Sequence, residues 1–138
     1  MKKHKKIALT TFFALLLGII PYSKAHKYAY ATRPAPREAK MGVASWYSKE
    51  SPGIKRTTAN NEIFDDTSLT CAMWGVPFHQ KLRITNLQNG RSIVVRVNDR
   101  GPHKRLVRKG RVVDLTKRAF ASLGATKKGL IPVKVEFL

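Results

Sequence analysis

The segment from Lys81 to Pro102, "KLRITNLQNGRSIVVRVNDRGP", leaves this chain the least freedom in what it can become. Two runs rich in strand formers, "KLRITNL" and "SIVVRV", flank Asn89-Gly90. That dipeptide favours a tight hairpin turn because both residues tolerate positive φ. Gly101-Pro102 stops the second run, since proline has no amide hydrogen to give a ladder. Strands are therefore predicted over Leu82–Thr85 and Ile93–Val97. "GVASWY" alternates in the same way and predicts a strand over Val43–Trp46.

The other segments are shorter. "DDTSLTCAMWG" (65–75) predicts one or two helical turns, capped by Asp66 or Thr67. "DLTKRAFASLG" predicts a better helix over Leu115–Leu123, capped by Asp114 or Thr116 and ended by Gly124. "LIPVKVEFL" closes the chain as a strand, with Pro132 near its start where a missing donor is tolerated. Short strands joined by turns, with one or two short helices, predict a mainly β fold closed into a compact barrel. No repeat at solenoid period occurs, and no Gly-rich phosphate loop precedes a helix. No cysteine–histidine set has zinc spacing either, so neither a cofactor nor a metal is expected.

The N-terminal end reads as an export signal. "MKKHKK" is basic, Ile7–Ile20 is a fourteen-residue apolar run, and small residues follow at Ser23 and Ala25. A membrane-spanning helix needs about 18–20 apolar residues and a secretory signal roughly 7–15. Residues 1–25 are thus expected to be removed, with "AYA" ending at Ala31 as a later cleavage site and a retained anchor as the alternative. Residues 26–41 read as a flexible linker and 42–138 as one small domain, exported to the bacterial envelope or its equivalent. Cys71 is the only cysteine, so no intramolecular disulfide, no disulfide-linked partner and no lipid attachment near the cleavage region are expected. Cys71 reads as a small buried hydrophobe, with a Cys71 nucleophile paired to His79 or His103 as the alternative.

Charge narrows the partners. The chain has 27 Lys and Arg against eight Asp and Glu; residues 1–25 hold five of the bases, leaving 22 against eight, or +14. Such an excess suits a polyanion. Export favours anionic envelope polymers and lipid head groups over nucleic acid, which is not expected as a partner.

Against that background, "RTTANNEIFDD" places Glu62, Asp65 and Asp66 within five residues. A turn with a helix cap explains this without chemistry. A working carboxylate is the sharper reading. Glu62 precedes apolar Ile63 and Phe64, surroundings that would favour its protonated form near neutral pH. Asp99 ends an apolar strand between Arg96 and Arg100, which would favour its ionised form. Two carboxyls in opposed environments suit acid and stabiliser in glycosidic-bond cleavage. A structural hydrogen-bond knot at the Asp99-Arg100 turn is the competing reading.

The blocks "GVASWY", "RTTANNEIFD", "LTCAMWGVPF", "LRITNLQNGRSIVVRVNDRGP", "RVVDLTKRAFASLG" and "GLIPVKVEFL" together resemble the rare lipoprotein A (RlpA) type of septal peptidoglycan lytic transglycosylase. The resemblance runs from Gly42 to Leu138. It implies a six-stranded double-psi β-barrel and cleavage of glycan strands, with a preference for strands stripped of stem peptides. It implies catalytic roles for Glu62, Asp65 and Asp99: Glu62 as general acid and then base, Asp99 facing the positive charge at C1, and Asp65 tuning Glu62. Trp46, Tyr47, Asn60 and Arg100 are the expected substrate-binding residues, with core filling as the alternative for Trp46 and Tyr47. The family's "LTAAH" histidine falls on Met73, which can neither donate a hydrogen bond nor carry a proton. The family's "TANGE" glycine is Asn61, which can still adopt a left-handed conformation. A barrel that binds glycan or another anionic envelope polymer without cutting it is the alternative function.

Overall fold

The computed structural model describes residues 37–125 and 127–138. The expectations for residues 1–25, and for the linker as far as residue 36, lie outside them. Six strands are present: β1 (Lys40–Tyr47), β2 (Thr70–Ala72), β3 (Lys81–Asn86), β4 (Ser92–Asp99), β5 (Arg111–Thr116) and β6 (Ile131–Phe137). Two short helices, α1 (Lys104–Val107) and α2 (Lys117–Ser122), complete the elements among the described residues. The strands close into a barrel in the order β1-β5-β2-β4-β3-β6. β1 begins at Lys40, two residues inside the stretch expected as linker.

Strand periodicity builds the core. Successive side chains on a strand point to opposite faces. Leu82 and Ile84, Val95 and Val97, Val113 and Leu115, and Val133 and Val135 therefore all face inward, and all are buried. β3 and β4 form the expected hairpin, pairing Leu82 with Val95 and Ile84 with Ile93. Its turn is wider than two residues: Asn86 N donates to Arg91 O and Gly90 N to Asn86 O. Gly90 takes φ 74° within it. The Asn86 and Asn89 side chains accept from the amides of Gln88 and Arg91, and both donate to Leu123 O. Two Asx-type turns thus replace the bare two-residue loop.

Three elements depart from expectation. Residues 65–75 form no helix; Thr70–Ala72 is instead a fully buried central strand, parallel to β4 and antiparallel to β5. An apolar run this short gives no periodicity by which to tell a strand from a helix, and here two flanking strands satisfy its backbone. The helix expected from Leu115 begins at Lys117, because residues 111–116 alternate and join the barrel as β5. Thr116 is its cap, accepting from Ala119 N at 3.4 Å, while Asp114 stays in the strand. α1 was not expected; it is a four-residue helix whose cap, His103, accepts from Arg105 N.

One irregularity sets up the site. β2 and β4 shift register between Cys71 and Ala72, so Ala72 lies opposite Asp99 on one side and Asp114 on the other. Two acids therefore flank one small residue at the same barrel level, two strand spacings or about 10 Å apart along the backbone.

Candidate active site

The loop carrying the acidic cluster folds back on itself. Thr57 and Ile63 form an isolated antiparallel bridge, Thr58 N donates to Glu62 O at 2.9 Å, and Asn61 takes φ 67°. Asn60 N donates to Asn98 O, which ties the loop to the end of β4. Alternation along β4 puts Val95 and Val97 in the core and Arg96 and Asn98 on the opposite face.

Glu62 meets that second face. Its Oε1 accepts from Arg96 Nη1 at 2.6 Å and from Asn60 Nδ2 at 2.8 Å. Its Oε2 accepts from Arg96 Nη2 at 2.9 Å and from Asn98 Nδ2 at 3.0 Å. These bonds, Arg96's first and Asn98's next, hold the Glu62 carboxyl at a pKa of about 2. This reverses the expectation of a proton-holding carboxyl between apolar walls. Ile63 is 72 % exposed and Phe64 stacks on Tyr47 at 4.9 Å, so no apolar enclosure forms around it. The sequence reading had set Arg96 beside Asp99, but the strand's period of two gives it to Glu62 instead.

Asp99 sits on the other side of the loop. Its Oδ1 accepts from Ala59 N at 2.9 Å and Arg100 N at 2.8 Å, while its Oδ2 has no hydrogen-bond partner among the described residues. It lines a cavity of about 490 Å³ shared with Tyr47, Ile54, Thr58, Asn61 and Arg100. Asp99 is the one acid among the described residues lining it, and Glu62 is not among them. The two carboxyls are thus linked through the loop and Asn98, but only Asp99 lines the cavity.

The other expected residues divide. Tyr47 lines the cavity, and burial pushes its phenol well above the usual range, with Asp99 adding to the effect. Its hydroxyl is buried and has no partner among the described residues. Trp46 packs against the core and does not line the cavity. Arg100 lines it, with the guanidinium 3.7 Å from the Phe78 ring centroid and Nη1 donating to Met73 O at 3.2 Å. Asn60 serves Glu62, as described above.

Asp65 makes no hydrogen bond to Glu62. Its carboxylate accepts from Ser68 Oγ at 2.5 Å and from Thr67 Oγ1 and N at 2.6 and 3.0 Å, and these bonds hold its pKa at about 2. Asp66 accepts from Lys49 N at 3.1 Å. Asp65 thus fixes its own turn, without the helix expected there, and Asp66 ties that turn to Lys49. Met73 is buried in the core cluster. Cys71 is fully buried too, and desolvation pushes its thiol up to about 12, which removes it as a nucleophile. No three His, Cys, Asp or Glu side chains converge as a metal site among the described residues.

Two features went unread in the sequence. One is the Arg96–Asn98 clamp, which the alternation of "VVRVND" would have revealed. The other is a bond from Ser45 Oγ to Asp114, whose carboxyl is raised by burial despite Arg111 at 3.9 Å. It depends on the β1–β5 register, which no local pattern encodes.

The clamp makes a direct prediction. A group whose pKa is lowered on folding stabilises the fold above its ordinary value, and that contribution is lost as pH falls through the folded value. The Glu62–Arg96 pair should therefore persist at neutral pH and fail only towards about pH 2. Arg96→Gln should raise the Glu62 pKa towards the ordinary range, read by carbon-detected NMR titration of the side-chain carboxyl. An unmoved titration would show that Arg96 is not what holds the charge.

Residues 39–135 match the family model described as "Lytic transglycolase". The chain belongs to this family. The lytic transglycolase assignment agrees with curated relatives described as endolytic peptidoglycan transglycosylase RlpA. The Campylobacter jejuni protein is 37 % identical over 118 residues, 86 % of this chain and 41 % of that relative. The Pseudomonas aeruginosa protein is 40 % identical over 116 residues, 84 % and 32 %. A Nostoc protein, described as a probable member, is 43 % identical over 98 residues, 71 % and 25 %. The chain thus spans between a quarter and about two fifths of the length of these relatives. Among solved structures, Streptomyces papain inhibitor superposes with a TM-score of 0.57 at 21 % identity, covering 77 % of this chain and 99 % of that one. An apo expansin from Clavibacter michiganensis gives 0.54 at 20 % identity, covering 73 % and 50 %. The fold of this lytic transglycolase domain is the double-psi β-barrel that the sequence blocks implied.

Proposed function

We propose that this protein is an exported lytic transglycosylase that cleaves peptidoglycan glycan strands free of stem peptides, with Asp99 meeting the scissile bond. The observation that carries this reading is the Asp99 geometry. Two main-chain amides fix Oδ1, Oδ2 has no hydrogen-bond partner among the described residues, and Asp99 lines the cavity of about 490 Å³. A sugar seated in that cavity would lie against Asp99. Protonated Asp99 then gives its proton to the glycosidic oxygen as the C1–O bond breaks. The resulting carboxylate stabilises positive charge at C1 and takes the proton of the muramic acid 6-hydroxyl as that oxygen closes on C1. The products are a shortened strand and a 1,6-anhydro end; no water is consumed, and the proton returns to Asp99.

Glu62 changes role in this proposal. With both oxygens bonded to Arg96 and its pKa held at about 2, Glu62 is the weaker candidate for proton donor. Glu62 instead holds the loop whose Ala59 amide fixes Asp99. Asp65 fixes the turn that follows.

A second reading, glycan binding without cleavage, is favoured by Met73, which stands buried where the family motif has its histidine. Incubating the purified protein with peptide-free glycan strands separates the two. Mass spectrometry should find 1,6-anhydro-muramic ends. Bound but intact strands would move the assignment to the binding module.

A further inference from the structure

The Asp99 cavity continues into a second compartment of about 410 Å³, with which it shares Ile54, Lys55 and Phe64. Lys49, Arg56 and Ile63 complete the lining of this compartment. Its walls combine three aliphatic or aromatic side chains with three cations and no acid. Lys55 and Arg56 have no acidic partner among the described residues, and Lys49 reaches Asp66 only at 3.9 Å while remaining 58 % exposed. Apolar walls suit the C–H face of a sugar ring. The cations suit an anion carried on that ring.

We propose that this compartment is a subsite for a carboxylated sugar, with Lys55 and Arg56 reading the carboxylate while a neighbouring unit lies over Asp99. The proposal rests on the reading of the groove as a glycan site and identifies what selects the strand. Muramic acid carries a lactyl ether whose carboxyl forms the amide to a stem peptide. Where the peptide has been removed, that carboxylate is free, and the strand bears one negative charge per disaccharide. Where the peptide remains, the same position is an amide and the chain beyond it is bulky. Unpaired cations set at the lactyl position would therefore favour stripped strands through the carboxylate placed there.

The test uses the full-length protein and two probes: peptide-free glycan strands, and the same strands with their lactyl carboxylates converted to methylamides. Binding is measured at low and at physiological salt. The protein should bind the carboxylated strand about tenfold more tightly at low salt, from two or three exposed charge contacts, and the ratio should shrink as salt rises. Lys55→Gln with Arg56→Gln should bring the ratio close to one. Lys55→Glu with Arg56→Glu should invert it. Lys104→Gln with Arg105→Gln, which remove the same charge from α1, should leave the ratio as it is.

A ratio near one in the unaltered protein overturns the proposal. So does a ratio that survives the Lys55 and Arg56 changes, or one lost equally in the α1 variant, which would show diffuse attraction. Scoring anhydro ends in the same samples separates this proposal from the enzymatic one. Discrimination without cleavage leaves the subsite standing and removes the enzyme. Equal binding and cleavage of both strands does the opposite.

Discussion

Asp99→Asn is expected to lower the rate of anhydro-muramic end formation by about 10²–10⁴, the usual loss when a general acid–base group is removed. Asparagine keeps an oxygen that can accept from Ala59 N and Arg100 N, so the loop and the end of β4 should stay in place. Its amide cannot release a proton to the glycosidic oxygen or collect one from the 6-hydroxyl. The thermal midpoint should shift little while the initial rate collapses. Unchanged turnover in this variant would remove Asp99 from the chemistry altogether.

Glu62→Gln should also cost activity, about 10²-fold, but by a different route. The neutral amide cannot accept both Arg96 donors, since one of its two ends is itself a donor. The loop from Thr57 to Ile63 then loses its side-chain anchor to Arg96, which loosens the Ala59 amide that aims Asp99. Misplacing a reacting group by about 1 Å is enough for a loss of this size. Two signatures separate this from proton donation by Glu62. The pH–rate profile should keep its limbs in the same place, and Arg96→Gln should add little to Glu62→Gln because both break one contact. A vanished alkaline limb in Glu62→Gln, the limb set by the group that must be protonated, would return the proton to Glu62.

Much of the barrel was legible because its long strands alternate. The hairpin around Asn89-Gly90, the strand at "GVASWY" and the closing strand each carry a local signal strong enough to stand alone. β2 was not legible: Thr70–Ala72 is three buried residues whose identity as a strand comes entirely from β4 and β5 on either side. α1 was missed because four residues show no period. The site divides along the same line. That Asp99 ends a strand was legible from the turn after it. The Glu62–Arg96 contact joins positions 34 apart, and the apolar neighbours of Glu62 in sequence do not surround it in space. Adjacency along the chain suggested one environment; the strand's two-residue period delivered another.

β6 touches both β1 and β3, and it is the last strand of the chain. β1, the first, pairs only with β5 and β6. A polypeptide delivered N-terminus first must therefore hold β1 without either partner until β5 arrives, and with one edge open until β6 follows. Contacts this distant in sequence slow folding, because the loop must be closed before any pairing repays it. Loss of residues 131–138 would do more than shorten the chain. It would uncover the backbone of two strands at once, turning a closed surface into a pair of edges open to self-association.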